Sequence, residues 1–151
     1  MERISWEELF MNMAVLTSMR SPDPKTKVGA CIVKNNYIVS VGYNGFPKGV
    51  DSDAFPLTDN EDFEKSKHAY IIHAELNAIL NAKTNLEGCI LYVTLFPCNE
   101  CAKIIAQTGI KEIIYLSDSK HDKPYSAAAR KIFEKTGISC RQYEKHVIIN
   151  K

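Results

Sequence analysis

The chain has 151 residues, 45% hydrophobic and 25% charged, which predicts one globular domain over residues 1–151 and argues against a disordered or multidomain protein. Its 19 basic and 18 acidic residues leave a net charge of +1, without the cationic excess typical of nucleic-acid binding. The longest apolar run, five residues, is far below the roughly 20 of a membrane span. Near the N-terminus, charged residues stand at positions where a secretory signal peptide would have its apolar core. We therefore expect a cytoplasmic protein that does not enter membranes.

The first part of the chain predicts a helix, a hairpin and a long loop. A capping box that starts at Ser5, followed by apolar residues at helical spacing, predicts a helix to about Met19. Two β-rich runs, 28–34 and 37–43, flank Asn35-Asn36, a pair that tolerates the positive φ of a tight turn. The stretch 44–67, rich in acidic residues and in Gly and Pro, predicts a functional loop or a lid.

The second part alternates helices and strands. We predict helices at 73–83, 98–107 and 125–136, and strands at 89–94, at 112–116 and within 138–149. Gly109 and Gly137 lie where a glycine commonly ends a helix. A hairpin followed by parallel β-α-β units predicts an α/β fold: a three-layer α/β/α sandwich whose mixed, mostly parallel sheet has about five strands.

The five cysteines make a poor disulfide framework, because only Cys98 and Cys101 are close in sequence. In a reducing compartment, such a pair is typical of a metal site or a redox dithiol. Cys31, Cys89 and Cys140 lie in apolar or β-branched runs, where cysteine usually acts as a small buried hydrophobe. We expect these three in the core.

The segment Pro97-Cys98-Asn99-Glu100-Cys101 follows a predicted strand and begins a predicted helix. Cysteines three apart share a helix face, so both sulfurs can reach one ion at the roughly 2.3 Å of a zinc–thiolate bond. Pro97 suits the first helical turn, and the positive helix end favours thiolates. On this motif alone, a redox dithiol and two buried thiols remain alternatives.

His73-Ala74-Glu75 begins another helix of the same block, and both helix N-termini can point to the sheet edge where open α/β sheets bind ligands. One histidine and two thiolates make three ligands, the number that leaves a fourth position for water. Glu75 is then the acid-base candidate, although a Glu in a first turn can serve the helix dipole alone. A closed structural zinc site would need a fourth ligand, for which the available histidines are His68, His121 and His146.

Together these motifs resemble the zinc-dependent nucleobase deaminases, whose signature is H-x-E followed by P-C-x-x-C. Three segments narrow the resemblance to the deoxycytidylate (dCMP) deaminases: Ser21–Ala30, Gly42–Pro47 and His73–Ile79. The similarity runs from about Ser5 to Ile138 and implies a cytidine deaminase-like fold. It does not extend to the loop 51–67 or to the tail after Tyr143.

The resemblance implies one zinc ion per chain on His73, Cys98 and Cys101, with Glu75 as the proton shuttle. A zinc-activated water would attack C4 of dCMP while Glu75 carries protons to N3 and to the departing amino group, which gives ammonia and dUMP for thymidylate synthesis. It also implies that Asn44 bonds to the sugar, the alternative being a turn asparagine. The N–H of Ala74, at a helix N-terminus, is a natural donor to the cytosine 2-carbonyl.

Phosphate binding requires cationic or hydroxyl donors. The candidates are Lys25, Lys27, Ser117, Lys120 and His121, although a run of lysines is usually only solvated.

The resemblance further implies a homo-oligomer such as a hexamer, and allosteric control in which dCTP with Mg²⁺ activates and dTTP inhibits. We expect the effector on the loop 42–49, where glycines let backbone N–H groups approach phosphate and a lysine adds charge. The residues concerned are Gly42, Tyr43, Gly45, Lys48 and Gly49. An ordinary turn after a strand is the alternative.

Two other functions stay open. The same zinc signature permits a tRNA adenosine deaminase or a guanine deaminase, although a net charge of +1 argues against tRNA. The other open function is a zinc-stabilised binding module that catalyses no reaction. Such a module would have no use for the non-ligating carboxylate of Glu75.

Overall fold

The computed structural model describes residues 2–149. In chain order the elements are α1 (Trp6–Ser18), β1 (Gly29–Lys34), β2 (Tyr37–Tyr43), α2 (Ala74–Asn81), β3 (Ile90–Leu95), α3 (Asn99–Ala106), β4 (Glu112–Ser117), α4 (Pro124–Thr136) and β5 (Ser139–Gln142). Three short 3₁₀ turns lie between β2 and α2: two lie inside the predicted long loop, and the third, Lys67–Ala69, begins at its last residue. No helix in the described range is long and apolar enough to cross a membrane.

The strands form one mixed sheet in the order β2-β1-β3-β4-β5. β1 pairs antiparallel with both β2 and β3, whereas β3 with β4 and β4 with β5 pair in parallel. The five-stranded mixed sheet is confirmed, but it is less parallel than predicted. The reason is the position of β3. This strand runs parallel to β2, but after the crossover through α2 it lies beside β1, with which it pairs antiparallel.

Helices cover both faces of this sheet, because alternate strand residues point to opposite sides. On β1, Ala30 and Ile32 pack in the core formed with α2, α3 and α4. Cys31 and Val33 pack in a second core with α1 and with Tyr143 from the tail. The predicted three-layer α/β/α sandwich is therefore confirmed, and among residues 2–149 α1 is the helix that covers the second core.

Local sequence signals produce the expected backbone at three points. Asn35 and Asn36 have φ values of 51° and 60° and form the hairpin turn. The Ser5 side chain accepts a hydrogen bond from the Glu8 N–H and caps α1. Gly137 ends α4 in the left-handed conformation. Gly109 is also left-handed, with φ 85°, but it lies two residues beyond Gln107, the C-cap of α3.

One core prediction is wrong. Cys31 and Cys89 are buried as expected, but Cys140 is exposed. It lies on β5, the last strand of the sheet, where every residue is exposed. A β-branched, apolar pattern predicts a strand, whereas burial depends on whether other elements cover that strand.

Two glycines let helices lie close to the hairpin and thereby position the site. A Cβ on Gly29 would lie 1.9 Å from the Ala14 carbonyl oxygen of α1, and a Cβ on Gly42 would lie 2.4 Å from the Ala78 nitrogen of α2. Both distances are shorter than any tolerable contact. Gly42 therefore seats α2 against β2 and sets the position of the α2 N-terminus.

Candidate active site

The N-termini of α2 and α3 bring the predicted metal ligands together. His73 is the N-cap residue of α2 and Cys98 is the N-cap residue of α3, and neither side chain makes a capping bond to its own helix. Cys101 lies in the first turn of α3 and is buried. Pro97 lies one residue before the cap, outside the helical turn in which it was predicted.

The three side chains are spaced for one metal ion. Nδ1 of His73 lies 3.2 Å from Sγ of Cys101 and 3.5 Å from Sγ of Cys98, and all three atoms lie within 4.8 Å of one another. Ligands about 2.0–2.3 Å from one zinc ion approach each other to about 4 Å, so the spacing fits zinc. Within residues 2–149, no fourth His, Cys, Asp or Glu joins this group, so His68, His121 and His146 do not complete it.

The two thiols differ in acidity. The hydrogen bond with Cys101 and, after it, the contact with His73 lower the pKa of Cys98 to about 4, against the opposing effect of burial. The same contact, together with burial, raises the pKa of Cys101. Two thiolates beside each other need a compensating cation. A soft imidazole and thiolate donor set is the kind that binds Zn²⁺.

Glu75 lies in the first turn of α2 and is 4% exposed. Burial raises the pKa of this carboxyl, partly opposed by His73. A carboxyl with a raised pKa can hold and release a proton near neutral pH. Glu75 stands beside the three candidate ligands without joining them, as a proton carrier would.

A cavity of about 470 Å³ opens against these residues, a volume suited to a small ligand. Its wall includes His73, Ala74, Glu75 and Cys98. Among the residues predicted to bind the sugar or the phosphate, Asn44, Lys25 and Lys120 also line it.

Three of the predicted phosphate-binding residues do not line this cavity. The Nζ of Lys27 donates to the Ser21 carbonyl at 2.6 Å. His121 pairs with Asp118 at 3.1 Å, and the Ser117 hydroxyl accepts from the Ser119 N–H. The prediction chose them for their cationic or hydroxyl donors, but their side chains have local partners.

Sequence reasoning also missed part of the wall. The additional polar lining residues are Asp23, Thr26, Asp59, Lys67, His68, Asn99 and Tyr125. Asp23 and Thr26 lie in the segment that carried the family resemblance, which was the signal available. Lys67 ends the predicted long loop and no motif marked it, whereas His68 was considered only as a fourth zinc ligand.

Asn44 is buried and its side-chain amide is engaged at both ends. Its Oδ1 accepts from the Val28 N–H at 2.8 Å, and its Nδ2 donates to the Thr26 carbonyl at 2.9 Å. One amide hydrogen and one lone pair remain available to a ligand. Asn44 therefore clamps the segment 26–28 in addition to lining the cavity.

A second cavity, of about 750 Å³, is lined by residues of α1, β2, the loop after β2 and α2. Gly42, Tyr43, Gly45 and Lys48 line it, but Gly49 does not. The N–H of Gly45 donates to the Ile72 carbonyl at 3.0 Å, so it does not serve phosphate in the predicted manner. Besides Lys48, the wall contains a second cation, Arg20, which sequence reasoning missed. The guanidinium carbon of Arg20 lies 5.8 Å from the centroid of the Tyr43 ring.

An α/β sandwich that presents one His and two Cys from two helix N-termini, beside a buried Glu, defines the class of the zinc-dependent nucleobase deaminases. The family profile described as the cytidine and deoxycytidylate deaminase zinc-binding region matches residues 4–117. The chain belongs to this family.

Similar proteins include the human deoxycytidylate deaminase, 48% identical over 93% of this chain and 80% of that protein. The probable deoxycytidylate deaminase of Drosophila melanogaster is 44% identical over 97% of this chain and 74% of its own length. Among solved structures, the dCMP deaminase of cyanophage S-TIM5 in complex with dCMP and dUMP has a TM-score of 0.76 at 28% identity, over 95% of this chain and all of that one.

Proposed function

We propose that this protein catalyses the hydrolytic deamination of dCMP to dUMP and ammonia. The observation that carries this proposal is the buried Glu75 beside the His73, Cys98 and Cys101 cluster in the wall of a nucleotide-sized cavity. The 48% identity to a deoxycytidylate deaminase supports the choice of substrate.

His73, Cys98 and Cys101 are the side chains that would hold one zinc ion. When bound there, zinc would supply Lewis-acid activation of a water molecule. Glu75 takes a proton from the attacking water, whose oxygen forms a bond to C4, and delivers that proton to N3 of the cytosine ring. A second proton, again through Glu75, goes to the 4-amino group, which leaves as ammonia while water oxygen remains on C4.

The remaining wall residues orient the nucleotide. The N–H of Ala74, at the first position of α2, has no partner within its helix and donates to the 2-carbonyl. Asn44 contacts the sugar through its remaining amide hydrogen and lone pair, while its other contacts hold the segment 26–28. Lys25 and Lys120 bind the 5′-phosphate, for which their charge and their place in the cavity wall suit them.

The experiment is ammonia release from dCMP, deoxycytidine, cytidine, guanine and a tRNA anticodon stem, assayed side by side. We expect dCMP to be the best substrate. Loss of the phosphate removes at least one charge-assisted hydrogen bond, worth roughly 1.5–3 kcal/mol, and should therefore lower kcat/KM by about 10- to 150-fold. Equal kcat/KM for dCMP and deoxycytidine would indicate a nucleoside deaminase. Turnover of guanine alone would indicate a guanine deaminase, and turnover of the tRNA stem alone would indicate a tRNA adenosine deaminase. A protein that contains zinc but turns over none of the substrates would be a binding module.

We also infer that the second cavity binds a nucleoside triphosphate, with dCTP plus Mg²⁺ activating and dTTP inhibiting. Two cations, Arg20 and Lys48, line this cavity. Asn44 lies between the cavities, since its neighbours Tyr43 and Gly45 line the second cavity and it lines the first. Such a shared segment can couple the two sites by the usual 1–3 kcal/mol, roughly 5- to 150-fold in affinity.

We further propose that the chain forms a single catalytic domain, that this domain assembles into a homo-oligomer, and that the protein is located in the cytosol. Both cores pack on a single sheet. Leu80 of α2 and Ile104 of α3 are 62% and 42% exposed, and a second subunit could cover such apolar side chains. The hexamer follows from the family resemblance, and light scattering on the purified protein tests it.

The cytosolic location is supported by the five free cysteines, two of them candidate zinc ligands, because free thiols are typical of a reducing compartment.

A further inference from the structure

A buried ion pair lies in the wall of the substrate cavity, apart from the groups assigned to the chemistry. The Nζ of Lys67 donates to Oδ2 of Asp23 at 2.8 Å, and the two side chains are only 6% and 4% exposed. Both residues line the cavity. Ion pairs elsewhere on the long loop are exposed, such as the pair of Lys65 with Asp62 at 3.7 Å.

The pair joins two loops that are distant in sequence. Asp23 belongs to the connection between α1 and β1, and Lys67 lies 44 residues further along the chain, in the connection between β2 and α2. The backbone N–H of Lys67 donates to the Thr58 carbonyl at 3.0 Å. The ion pair therefore fixes one end of the long loop against the segment that follows Asp23.

Asp23 also orders the backbone of that segment. Its Oδ1 accepts from the Lys25 N–H at 2.8 Å and from the Thr26 N–H at 3.1 Å. Burial alone would raise the pKa of Asp23, but the bonds from Lys67, Thr26 and Lys25 outweigh burial and hold the pKa below its usual value. Asn44 holds the same segment from the other side, at Thr26 and Val28.

A buried ion pair is a poor way to gain stability alone, because apolar side chains of similar size often stabilise a fold as well or better. This pair has a second effect: through the contacts of Asp23 with their backbone N–H groups, it holds Lys25 and Thr26 in the cavity wall. The wall of the same cavity contains His73 and Glu75, which hold the reacting ring in the proposed function. Lys25 adds a cation to that wall, which the anionic end of a nucleotide requires.

We propose that Asp23 and Lys67 form a positioning pair that holds Lys25 and Thr26 in place to bind the 5′-phosphate of the nucleotide. This inference rests on the proposed function. Because α2 and α3 carry the metal cluster and Glu75, the pair acts on binding of the nucleotide and leaves the chemical step largely alone.

The test compares Lys67→Met, Lys67→Arg and Asp23→Asn with the wild type, using dCMP and deoxycytidine as substrates and zinc content as a second readout. Lys67→Met and Asp23→Asn should raise the KM for dCMP roughly 10-fold or more, with kcat changed less than about 3-fold. The kcat/KM for deoxycytidine and the zinc content should stay near the wild-type values. Lys67→Arg should recover part of the loss, because it keeps the charge.

Lys65→Met is the matched control, since it makes the same substitution on the same loop at an exposed ion pair, and it should leave both substrates unaffected. The double variant Asp23→Asn/Lys67→Met should be no worse than the poorer single variant, because the two residues act as a unit.

Three results would overturn the proposal: an unchanged KM for dCMP in Asp23→Asn, an equal loss with both substrates, or loss of zinc. If Lys67→Met does not fold, Asp23→Asn and Lys67→Arg decide. A wild type that releases no ammonia from dCMP defeats the proposed function instead, whereas an active wild type with indifferent variants defeats only the positioning pair.

Discussion

His73 and Cys98 hold the same position in their helices: each is the N-cap residue, of α2 and α3, and neither caps its own helix. That position usually carries Ser, Thr, Asp or Asn, whose oxygen accepts from the first turn. Here the two side chains face each other, with His73 Nδ1 3.5 Å from Cys98 Sγ. Ala74 and Asn99, the first residues of the two helices, line the cavity. Both positive helix ends therefore serve the site.

Purified protein should contain about one zinc ion per chain, because three ligands with an open fourth position hold one ion. Cys98→Ala and Cys101→Ala should each strongly reduce the zinc content measured by mass spectrometry. Cys140→Ala is the control, since Cys140 is exposed on β5, and it should retain the metal. Full zinc occupancy in either site variant would show that the ligand assignment is wrong.

Glu75→Gln should keep its zinc and its fold but lose deaminase activity by roughly 10²–10⁴-fold, because the amide preserves shape and cannot carry the proton. Zinc content and circular dichroism establish that the variant is intact before dCMP turnover is measured. Near-normal turnover in the zinc-loaded variant would remove Glu75 from the mechanism.

Arg20→Ala and Lys48→Ala should weaken the response to dCTP without changing turnover in its absence, because both cations line the second cavity. The measurement is a dCMP saturation curve with and without dCTP plus Mg²⁺, and with dTTP. Lys135→Ala, exposed on α4, serves as the control. Wild-type kinetics that are hyperbolic and indifferent to both nucleotides would leave this cavity without a regulatory role.

Gly29→Ala should lower the free energy of unfolding by roughly 3 kcal/mol, because the new Cβ would overlap the Ala14 carbonyl oxygen at 1.9 Å. Urea unfolding followed by circular dichroism gives the value. Gly49→Ala is the comparison: a Cβ there meets nothing within 4 Å but the φ is +89°, which costs about 1–2 kcal/mol. Equal losses in the two variants would mean that α1 can shift to accept the methyl group.

Asp23 should contribute a pH-dependent part of the stability. Its pKa is held below the usual value in the folded protein, so its contribution is present above the unfolded pKa of about 3.9 and is lost as the pH falls through the folded pKa. Asp23→Asn should therefore flatten the acid side of a plot of unfolding free energy against pH. Coincident slopes for Asp23→Asn and wild type would contradict this account.

Patterns contained within one element were readable from the sequence. The Asn35-Asn36 turn, the capping residue Ser5 and the left-handed Gly137 act over two to four neighbouring residues, and the structure has each of them. The motifs at 73–75 and 97–101 were also local, because each lies at the start of one helix.

The sequence by itself determined the elements, their order and the residue types of the site, because backbone conformation and the spacing of ligands on a helix are local properties. Tertiary packing alone decided that Cys140 lies exposed on an edge strand and that Lys27 turns away from the cavity. It also decided that Asp23 meets Lys67 across 44 residues. Burial and such contacts depend on which loops fold against each other, and no short-range pattern encodes that.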